Sequence, residues 1–217
     1  MTTTIGVLAL QGAFIEHEQM LQRLGVAVRR VTLPQHLEGL DGLIIPGGES
    51  TTIGKLMVEW KLLEPLRAFG RSGAAIFGSC AGAIVLARDV GREQPLLGLM
   101  DLQVARNAFG RQIESFQSEL QVPVLGERPF PGVFIRAPKI SAVGPGVAAL
   151  CTLADGSIVA AQQGNLLAVS FHAELTDDTR LHEYFLGLTQ RSSDARLAGR
   201  TAPLGQGPSG LRGMVSV

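Results

Sequence analysis

A cysteine flanked by glycines stands between an apolar strand pattern and an apolar helix pattern. Residues 74–87 read AAIFGSCAGAIVLA, with Gly78 and Gly82 on either side of Cys80. In a G-x-nucleophile-x-G elbow the turn is so tight that glycines flank the reactive residue, which projects from the top of the sheet. Unpaired N–H groups at the start of the helix also favour the thiolate. The alternative is a small buried hydrophobic residue, as most free cysteines are. We interpret Cys80 as a nucleophile.

A nucleophilic cysteine needs a base, and the base needs a group that orients it. Of the four histidines, His172 directly follows an apolar strand pattern and precedes Glu174 by two residues. In extended backbone such residues project on the same side, so the carboxylate can orient the imidazole. His17 and His182 lie on predicted helices, where a half-buried structural histidine is the default, and His36 lies in a polar loop. Zinc deaminases also contain His-x-Glu, but their Pro-Cys-x-x-Cys motif is absent here.

A glycine-rich turn follows a third predicted strand, where residues 46–50 read PGGES. Glycines let consecutive N–H groups turn inward as an anion-binding nest, so we expect Gly47, Gly48 and Ala81 to form an oxyanion hole. The alternatives are a simple turn before a helix and a phosphate-binding loop. The phosphate loop fails on spacing, because five residues rather than four separate Gly48 from the next Gly-Lys pair and Leu56 stands where Ser or Thr is required.

Alternating strand and helix patterns predict an α/β fold that brings these three motifs together. Strands are expected over residues 5–10, 26–31, 43–45, 74–77 and 166–171, and helices over 13–24, between 50 and 70, and over 176–188. This alternation is typical of a mostly parallel sheet with helices on both faces. From about residue 97 to 161, short β-type runs predict antiparallel strands packed on one side of that sheet. Sites in such folds assemble at the carboxyl ends of the strands.

Length and composition predict one domain with a tail. The chain has 217 residues, enough for a single well-packed α/β domain. We expect this domain to span residues 1–190. Residues 191–217 are rich in Gly, Ser, Pro and Arg and are predicted to form a disordered C-terminal tail.

The bulk properties exclude several classes of function. A net charge of +0 and a pI near 6.9 provide no basic field for nucleic acid or a membrane surface. Two cysteines are too few for a disulfide framework. No apolar run approaches the roughly 18 residues that span a bilayer, and the N-terminus lacks signal-peptide features. We therefore expect a cytoplasmic protein that acts on a small molecule, binds protein partners, and requires no metal or cofactor.

Five sequence blocks carry a resemblance to a known family. They are GVLALQGAFIEH, LIIPGGESTTIGKL, ARNAFGRQIESF, GVFIRAP and SFHAELTDD, in this order, and they extend to about residue 190. With the cysteine elbow they resemble class I glutamine amidotransferases, and more narrowly the glutaminase subunits of pyridoxal 5'-phosphate synthase. The resemblance implies that Cys80 attacks the side-chain amide of L-glutamine, that His172 shuttles the proton, and that Glu174 orients His172.

The resemblance also implies binding residues and a partner. The implied substrate-binding residues are Gly48, Glu49, Ser50, Arg106, Ile135 and Arg136. An arginine can pair with the α-carboxylate of glutamine, and a carboxylate can receive its α-ammonium. A separate synthase subunit is expected to receive the ammonia within a hetero-oligomer. Gln11 and Gly12, at the end of the first predicted strand, are the candidate docking residues.

The chain departs from the family pattern in two places. Ala173 stands where the family usually has proline, which should loosen the loop without altering either catalytic side chain. Ser79 stands where threonine is frequent.

The functional alternatives are a subunit that feeds another amidotransferase, a non-catalytic glutamine-sensing subunit, and a cysteine peptidase. A sensor needs no nucleophile, so the joint presence of Cys80, His172 and Glu174 argues against it.

Overall fold

The computed structural model describes residues 3–105 and 115–201, with 196–201 described by their backbone alone. Within these ranges the chain forms twelve strands and five α-helices. The strands are β1 (Thr4–Leu8), β2 (Ala27–Val31), β3 (Gly42–Ile45), β4 (Ala75–Ser79), β5 (Ala87–Asp89), β6 (Met100–Ala105), β7 (Ser115–Leu120), β8 (Phe130–Ile135), β9 (Lys139–Val143), β10 (Ala148–Thr152), β11 (Ile158–Gln163) and β12 (Leu166–Val169). The helices are α1 (Phe14–Arg23), α2 (Ser50–Glu59), α3 (Leu63–Arg71), α4 (Ala81–Leu86) and α5 (Arg180–Thr201).

The strands confirm the predicted α/β architecture with one difference. The order β2-β1-β3-β4-β12 is parallel throughout. The antiparallel strands were predicted to pack on one side of this sheet, and that prediction is wrong. Strands β11, β9 and β6 instead continue the same sheet in its own plane. The reason is the two-residue loop Gly164-Asn165 between β11 and β12, because a tight hairpin holds its strands side by side. Only β7 and β8 form a separate pair among the described strands.

Helices cover both faces of the sheet, as predicted. Neighbouring residues of a strand point to opposite faces, so Ile44 and Ile45 of β3 enter different cores. Ile45 packs with Met57 of α2 and with α4, whereas Ile44 packs with Leu21 of α1 and Phe185 of α5. The side chains of Ile44, Ile45, Leu21, Met57 and Phe185 are all fully buried. The strand ends are therefore held between two packed layers.

The last helix is longer than the sequence pattern predicted. The expected span of 176–188 is wrong at both ends, because α5 begins at Arg180 and ends at Thr201. The hydroxyl of Ser192 donates to the carbonyl of Gly73 at 2.8 Å, so contacts with the domain hold a segment whose Ser and Gly content suggested a tail. The predicted domain boundary at residue 190 thus lies inside a helix, and residues 202–217 of the predicted tail lie outside the described residues. None of the described helices is long and apolar enough to cross a membrane.

Candidate active site

Four segments meet beyond the carboxyl ends of adjacent parallel strands. Gln11 follows β1, residues 46–50 follow β3, Cys80 follows β4 and His172 follows β12. These strands are neighbours in the order β1-β3-β4-β12. The structure therefore brings together the cysteine elbow, the PGGES turn and the His-x-Glu pair at one edge of the sheet, as the sequence predicted.

The elbow around Cys80 is a strained turn that only glycines can flank. Cys80 has φ 48° and ψ −105°, in the region that non-glycine residues rarely adopt. A Cβ at Gly82 would lie 2.0 Å from the carbonyl oxygen of Ile45, and one at Gly78 would lie 2.6 Å from the carbonyl carbon of Gly82. The Cys80 amide donates to the carbonyl of Val169 at 2.8 Å, which anchors the turn on β12. The cysteine is thereby held rigidly between β4 and α4.

His172 is hydrogen-bonded to Glu174 and lies next to Cys80. Its Nδ1 lies 2.6 Å from Oε1 of Glu174, which leaves Nε2 for the cysteine side chain. Burial opposes protonation of His172, but the bonds to Cys80 and Glu174 outweigh it and raise the pKa of His172 to about 10. Glu174 is reached through a 3-10 turn over Ala173–Leu175 rather than through the extended backbone that we expected. The contact is the predicted one, although the local conformation differs.

The backbone near Cys80 offers amide groups for an oxyanion. Ala81 is the first residue of α4, so its N–H has no acceptor within the helix. The amide of Cys80 is already bound to Val169 and is not available for this purpose. Gly47 lies close to both catalytic side chains, because a Cβ there would be 2.4 Å from Cε1 of His172 and 3.3 Å from Cβ of Cys80. These positions are compatible with the predicted oxyanion hole.

Gln11 and Gly12 lie directly against the PGGES turn. The side-chain oxygen of Gln11 accepts from the amide of Glu49 at 2.7 Å, and the amide of Ala13 donates to the carbonyl of Gly47 at 3.0 Å. Gly12 has φ 102°, and a Cβ there would lie 1.8 Å from the Gly47 carbonyl oxygen. Any movement of this segment would therefore be transmitted to the turn.

The catalytic side chains open into a cavity of about 410 Å³. Its lining residues are Gln11, Ala13, Gly48, Glu49, Ser50, Cys80, Ile84, Ile135, Arg136, His172 and Leu175. Gly47, Ala81 and Glu174 do not line it, and Arg106 lies outside the described residues. Most of the predicted substrate-binding residues are thus placed around one space next to Cys80.

The strand pair β7–β8 supplies one wall of the cavity. The amide of His172 donates to the carbonyl of Val133 on β8 at 2.8 Å, which brings the end of β8 to the catalytic loop. Ile135 ends this strand and is 38% exposed, and Arg136 follows with φ 44°. A non-glycine residue in this conformation is strained and must be held by its surroundings. Two of the three described non-glycine residues with positive φ, Cys80 and Arg136, therefore line this cavity.

Glu49 has a structural function that the sequence analysis missed. Its Oε2 accepts from the amide of Thr52 at 2.8 Å and from the Thr52 hydroxyl at 2.9 Å, so Glu49 is the N-cap of α2. Asp, Asn, Ser and Thr are the usual N-cap residues, whereas Glu is not, so the sequence around Glu49 carries no capping signal for this residue.

Two histidines are more deeply buried than the sequence predicted. His17 and His182 were expected to be half-buried and structural, but both are 0% exposed and lie directly behind the catalytic groups. Nε2 of His17 is 2.9 Å from Oγ of Ser79 and 3.4 Å from Oε2 of Glu174, and Nδ1 of His17 is 3.0 Å from Nε2 of His182. The only available signal was the position of His17 on the apolar face of a predicted helix. Burial opposes the charged forms and lowers the pKa of both histidines, that of His182 to about 3.

The described residues contain no group of three or more His, Cys, Asp or Glu side chains arranged to hold a metal ion. The cluster behind the cysteine is instead connected by hydrogen bonds and is closed to solvent. Its chemistry is that of proton-bearing side chains around a thiol.

Comparison with known proteins identifies close relatives. The model of the SNO glutamine amidotransferase family matches residues 7–190. The pyridoxal 5'-phosphate synthase subunit PdxT of Herpetosiphon aurantiacus is 62% identical over 189 residues, which cover 85% of this chain and 100% of the relative. The PdxT proteins of Moorella thermoacetica and Deinococcus radiodurans are 59% and 57% identical, covering 84% and 85% of this chain and 97% and 96% of the relatives.

Solved structures share the fold. The crystal structure of a glutamine amidotransferase superposes with a TM-score of 0.82 at 51% identity, covering 86% of this chain and 98% of that chain. PurLQS from Thermotoga maritima superposes with a TM-score of 0.63 at 15% identity, covering 86% of this chain and 99% of that chain, and this likeness concerns the fold alone. The expected class I glutamine amidotransferase-like fold is confirmed.

Proposed function

Because the chain belongs to the SNO glutamine amidotransferase family, we propose that it is the glutaminase subunit of a pyridoxal 5'-phosphate synthase. It would hydrolyse L-glutamine to L-glutamate and pass the ammonia to a separate synthase subunit. Relatives named PdxT match at 57–62% identity over nearly their whole length and support this function. The observation that carries the catalytic assignment is that His172, hydrogen-bonded to Glu174, lines the same cavity as Cys80.

The first half of the reaction would form a thioester. The Cys80 thiolate attacks the side-chain carbonyl carbon of glutamine, and the oxygen takes up the negative charge as the C–S bond forms. The amide of Ala81, and that of Gly48 once the Gly47–Gly48 peptide has reoriented, would stabilise this oxyanion, and one such donor is typically worth a hundredfold to a thousandfold in rate. His172 then gives its proton to the nitrogen, the C–N bond breaks, and ammonia leaves.

The second half would release glutamate. His172, now neutral, takes a proton from a water molecule, and the resulting hydroxide attacks the thioester carbonyl. The C–S bond breaks, the cysteine leaves as a thiolate, and the protonated imidazole is restored. Glu174 keeps the imidazole in the required tautomer throughout and compensates its charge when it is protonated.

The cavity offers groups that match the two charges of a free amino acid. Arg136 lines it and can pair with the α-carboxylate of glutamine, a function that we also propose for Arg106. The Glu49 carboxylate lines it as well and can accept from the α-ammonium group while it caps α2. Gly48, Ser50 and Ile135 complete the proposed contacts. A peptide would lack the paired terminal charges, which is why this site suits free glutamine.

The synthase subunit is proposed to dock at Gln11 and Gly12 and to switch the glutaminase on. The carbonyl of Gly47 is held by the Ala13 amide, next to these two residues. A peptide between two glycines can rotate at low steric cost, so displacement of this segment would let the Gly47–Gly48 peptide reorient toward the oxyanion. Such a switch would prevent the free subunit from wasting glutamine. A cytoplasmic location stays a prediction.

The catalytic assignment is tested by the substitution Cys80→Ala. We expect glutamine hydrolysis in the complex to fall by about 10,000-fold or more, because the nucleophile is lost while the binding residues are kept. Glutamine binding, measured by calorimetry, should persist. The matched control is Cys151→Ala, which removes the other buried free cysteine, on β10, and should leave the rate unchanged. Undiminished hydrolysis in Cys80→Ala would contradict the proposal.

The switch is tested by measuring the glutaminase rate with and without the synthase subunit. We expect a much higher rate in its presence, and a glutamine-mimicking electrophile should label Cys80 faster in the complex than in the free subunit. A bulky substitution, Gln11→Trp, should weaken this stimulation because it disturbs the proposed docking segment. Equal rates with and without the partner would rule out the switch, but not the hydrolysis itself.

A further inference from the structure

Behind the catalytic groups lies a closed chain of polar side chains from three different elements. His17 comes from α1, His182 from α5 and Ser79 from β4, and all three are 0% exposed. Glu174 uses Oε1 for His172, and its Oε2 faces Nε2 of His17 at 3.4 Å. Nδ1 of His17 lies 3.0 Å from Nε2 of His182, and Nε2 of His17 lies 2.9 Å from Oγ of Ser79, which completes the chain. The carboxylate therefore lies between two histidines: Oε1 is hydrogen-bonded to His172, whereas Oε2 is buried without a hydrogen-bond partner among the described residues and has Nε2 of His17 beside it.

The surroundings select one tautomer for each rear histidine. A lone pair on Nε2 of His17 would face the negative oxygen of Glu174, so this nitrogen must carry the proton. Nδ1 of His17 then accepts, and Nε2 of His182 must be its donor. This leaves Nδ1 of His182 as an acceptor, and it is the buried ring nitrogen for which the structure shows no partner. An unused acceptor costs less than an unused N–H donor, so both ends of the chain indicate the same proton arrangement.

We propose that His17, held by His182, is a positioning residue: its Nε2–H donates to Oγ of Ser79 and faces the second oxygen of Glu174 across 3.4 Å, and this attraction keeps the first oxygen on His172. The inference rests on the proposed function only in that the triad is catalytic. His182 keeps His17 neutral, because its donated hydrogen occupies the remaining nitrogen of His17. A neutral donor orients the carboxylate without neutralising its charge, so that charge stays available to the imidazolium of His172.

The charged groups around this pair are consistent with a neutral His17. Burial disfavours its protonation, and His172 opposes it as well, whereas Glu174 and Glu16 favour it. Burial prevails and holds the pKa of His17 below its ordinary value. Burial likewise lowers the pKa of His182, to about 3, with His17 opposing its protonation and Glu174 favouring it.

The test compares His17→Leu with His17→Gln in the full-length chain. Leu removes the donor at similar size, whereas the Gln side chain keeps an N–H group within reach of Glu174. We expect His17→Leu to lower kcat for glutamine about 10- to 100-fold in the complex with the synthase subunit, with little change in KM. The pH midpoint for alkylation of Cys80 by iodoacetamide should rise by about one unit, because a less stabilised Glu174 supports the His172 imidazolium poorly. His17→Gln should restore most of both properties.

A control variant separates positioning from packing. Phe185→Leu trims a neighbouring core side chain on α5, which contacts Phe77. It should lower Tm but leave the alkylation midpoint in place. The inference is overturned if His17→Leu changes neither kcat nor the midpoint, if Gln does not rescue it, or if Phe185→Leu shifts the midpoint as far as His17→Leu does.

A spectroscopic measurement on the unaltered protein covers the case in which His17→Leu does not fold. Long-range ¹H–¹⁵N correlation spectra of histidine-labelled protein should show His17 and His182 as neutral Nε2–H tautomers from pH 5 to 9. Protonation of His17, or its Nδ1–H tautomer, in that range would overturn the inference. Absence of glutamine hydrolysis by the wild-type complex would refute the proposed function, while the alkylation midpoint and these spectra would still test the arrangement.

Discussion

At the scale of single residues, opposing effects act on the charge of His172. Burial favours the neutral imidazole, whereas the bonds to Cys80 and Glu174 favour the imidazolium and prevail, which raises its pKa to about 10. Glu174 is in turn kept ionised by His172 and His17 despite its burial, which by itself would raise its pKa. The reactive pair therefore depends on a carboxylate that never touches the substrate cavity.

This balance predicts how stability depends on pH. Below about pH 6.5, His172 is protonated in both the folded and the unfolded chain, so its stabilising contribution is complete. Between there and its folded pKa near 10 only the folded state keeps the proton, so the free energy of unfolding falls as pH rises, by at most about 1.4 kcal/mol per unit. Glu174→Gln should flatten this decline, because it removes an interaction that holds the proton on His172.

Urea unfolding at several pH values from 6 to 10 measures this effect. Glu59→Gln is the matched control, since it removes the same formal charge from an exposed position on α2. If the free energy of unfolding of Glu174→Gln falls with pH as steeply as that of the wild type and of the control, Glu174 does not help to hold the proton on His172.

Among the secondary-structure elements, the turn at Cys80 depends on how closely α4 approaches β3. Gly82 lies in α4 and faces the Ile45 carbonyl without room for a Cβ. Gly187 lies in α5, where a Cβ would meet only an arginine nitrogen at an ordinary 3.7 Å. Close packing therefore requires glycine at Gly82 but not at Gly187.

Alanine at these two positions should have opposite effects on stability. Gly82→Ala should destabilise by about 1–3 kcal/mol or more, because α4 must move away from β3, and it should displace Cys80 and reduce activity. Gly187→Ala should stabilise by about 0.5–1 kcal/mol, since alanine loses less conformational entropy in a helix. Denaturant midpoints and glutaminase rates measure both. Equal behaviour of the two variants would refute the close approach.

At the scale of the whole molecule, α5 ties the domain together beyond the region matched by the family model. That match ends at residue 190, yet Ser192 is buried and bonded to Gly73, and Ser193 lies 3.4 Å from Oδ1 of Asp41. These contacts join the helix to the amino ends of β3 and β4, opposite the active site. Residues 191–201 continue α5, and we expect them to belong to the folded unit rather than to a tail.

Truncation after different residues tests this boundary. A chain that ends at Gln190 should have a free energy of unfolding about 1 kcal/mol or more below that of a chain that ends at Thr201. The shorter chain loses the hydrogen bond from Ser192 to Gly73 and the last turns of α5. Both should keep the active-site geometry and hydrolyse glutamine at similar rates in the complex. Equal stabilities would instead support the boundary at residue 190.

Features that depend on local sterics and on short spacing could be predicted from the sequence. The glycines around Cys80, the PGGES turn and the pair His172-x-Glu174 carry their requirements within a few residues of each other. The alternation of strands and helices then predicted that strand ends would gather them, because parallel strands present their carboxyl ends at one edge. Spaced blocks along the chain were specific enough to indicate the family.

The groups that lie behind Cys80, His172 and Glu174 became apparent only from the folded structure. His17 and His182 are separated by 165 positions in the chain, and nothing in the sequence near either one indicates that their rings meet. The same is true of Gln11 and Glu49, and of the antiparallel strands that extend the sheet in its own plane. Such contacts depend on how helices pack on the two faces of a sheet, a property of the assembled core that no single segment encodes.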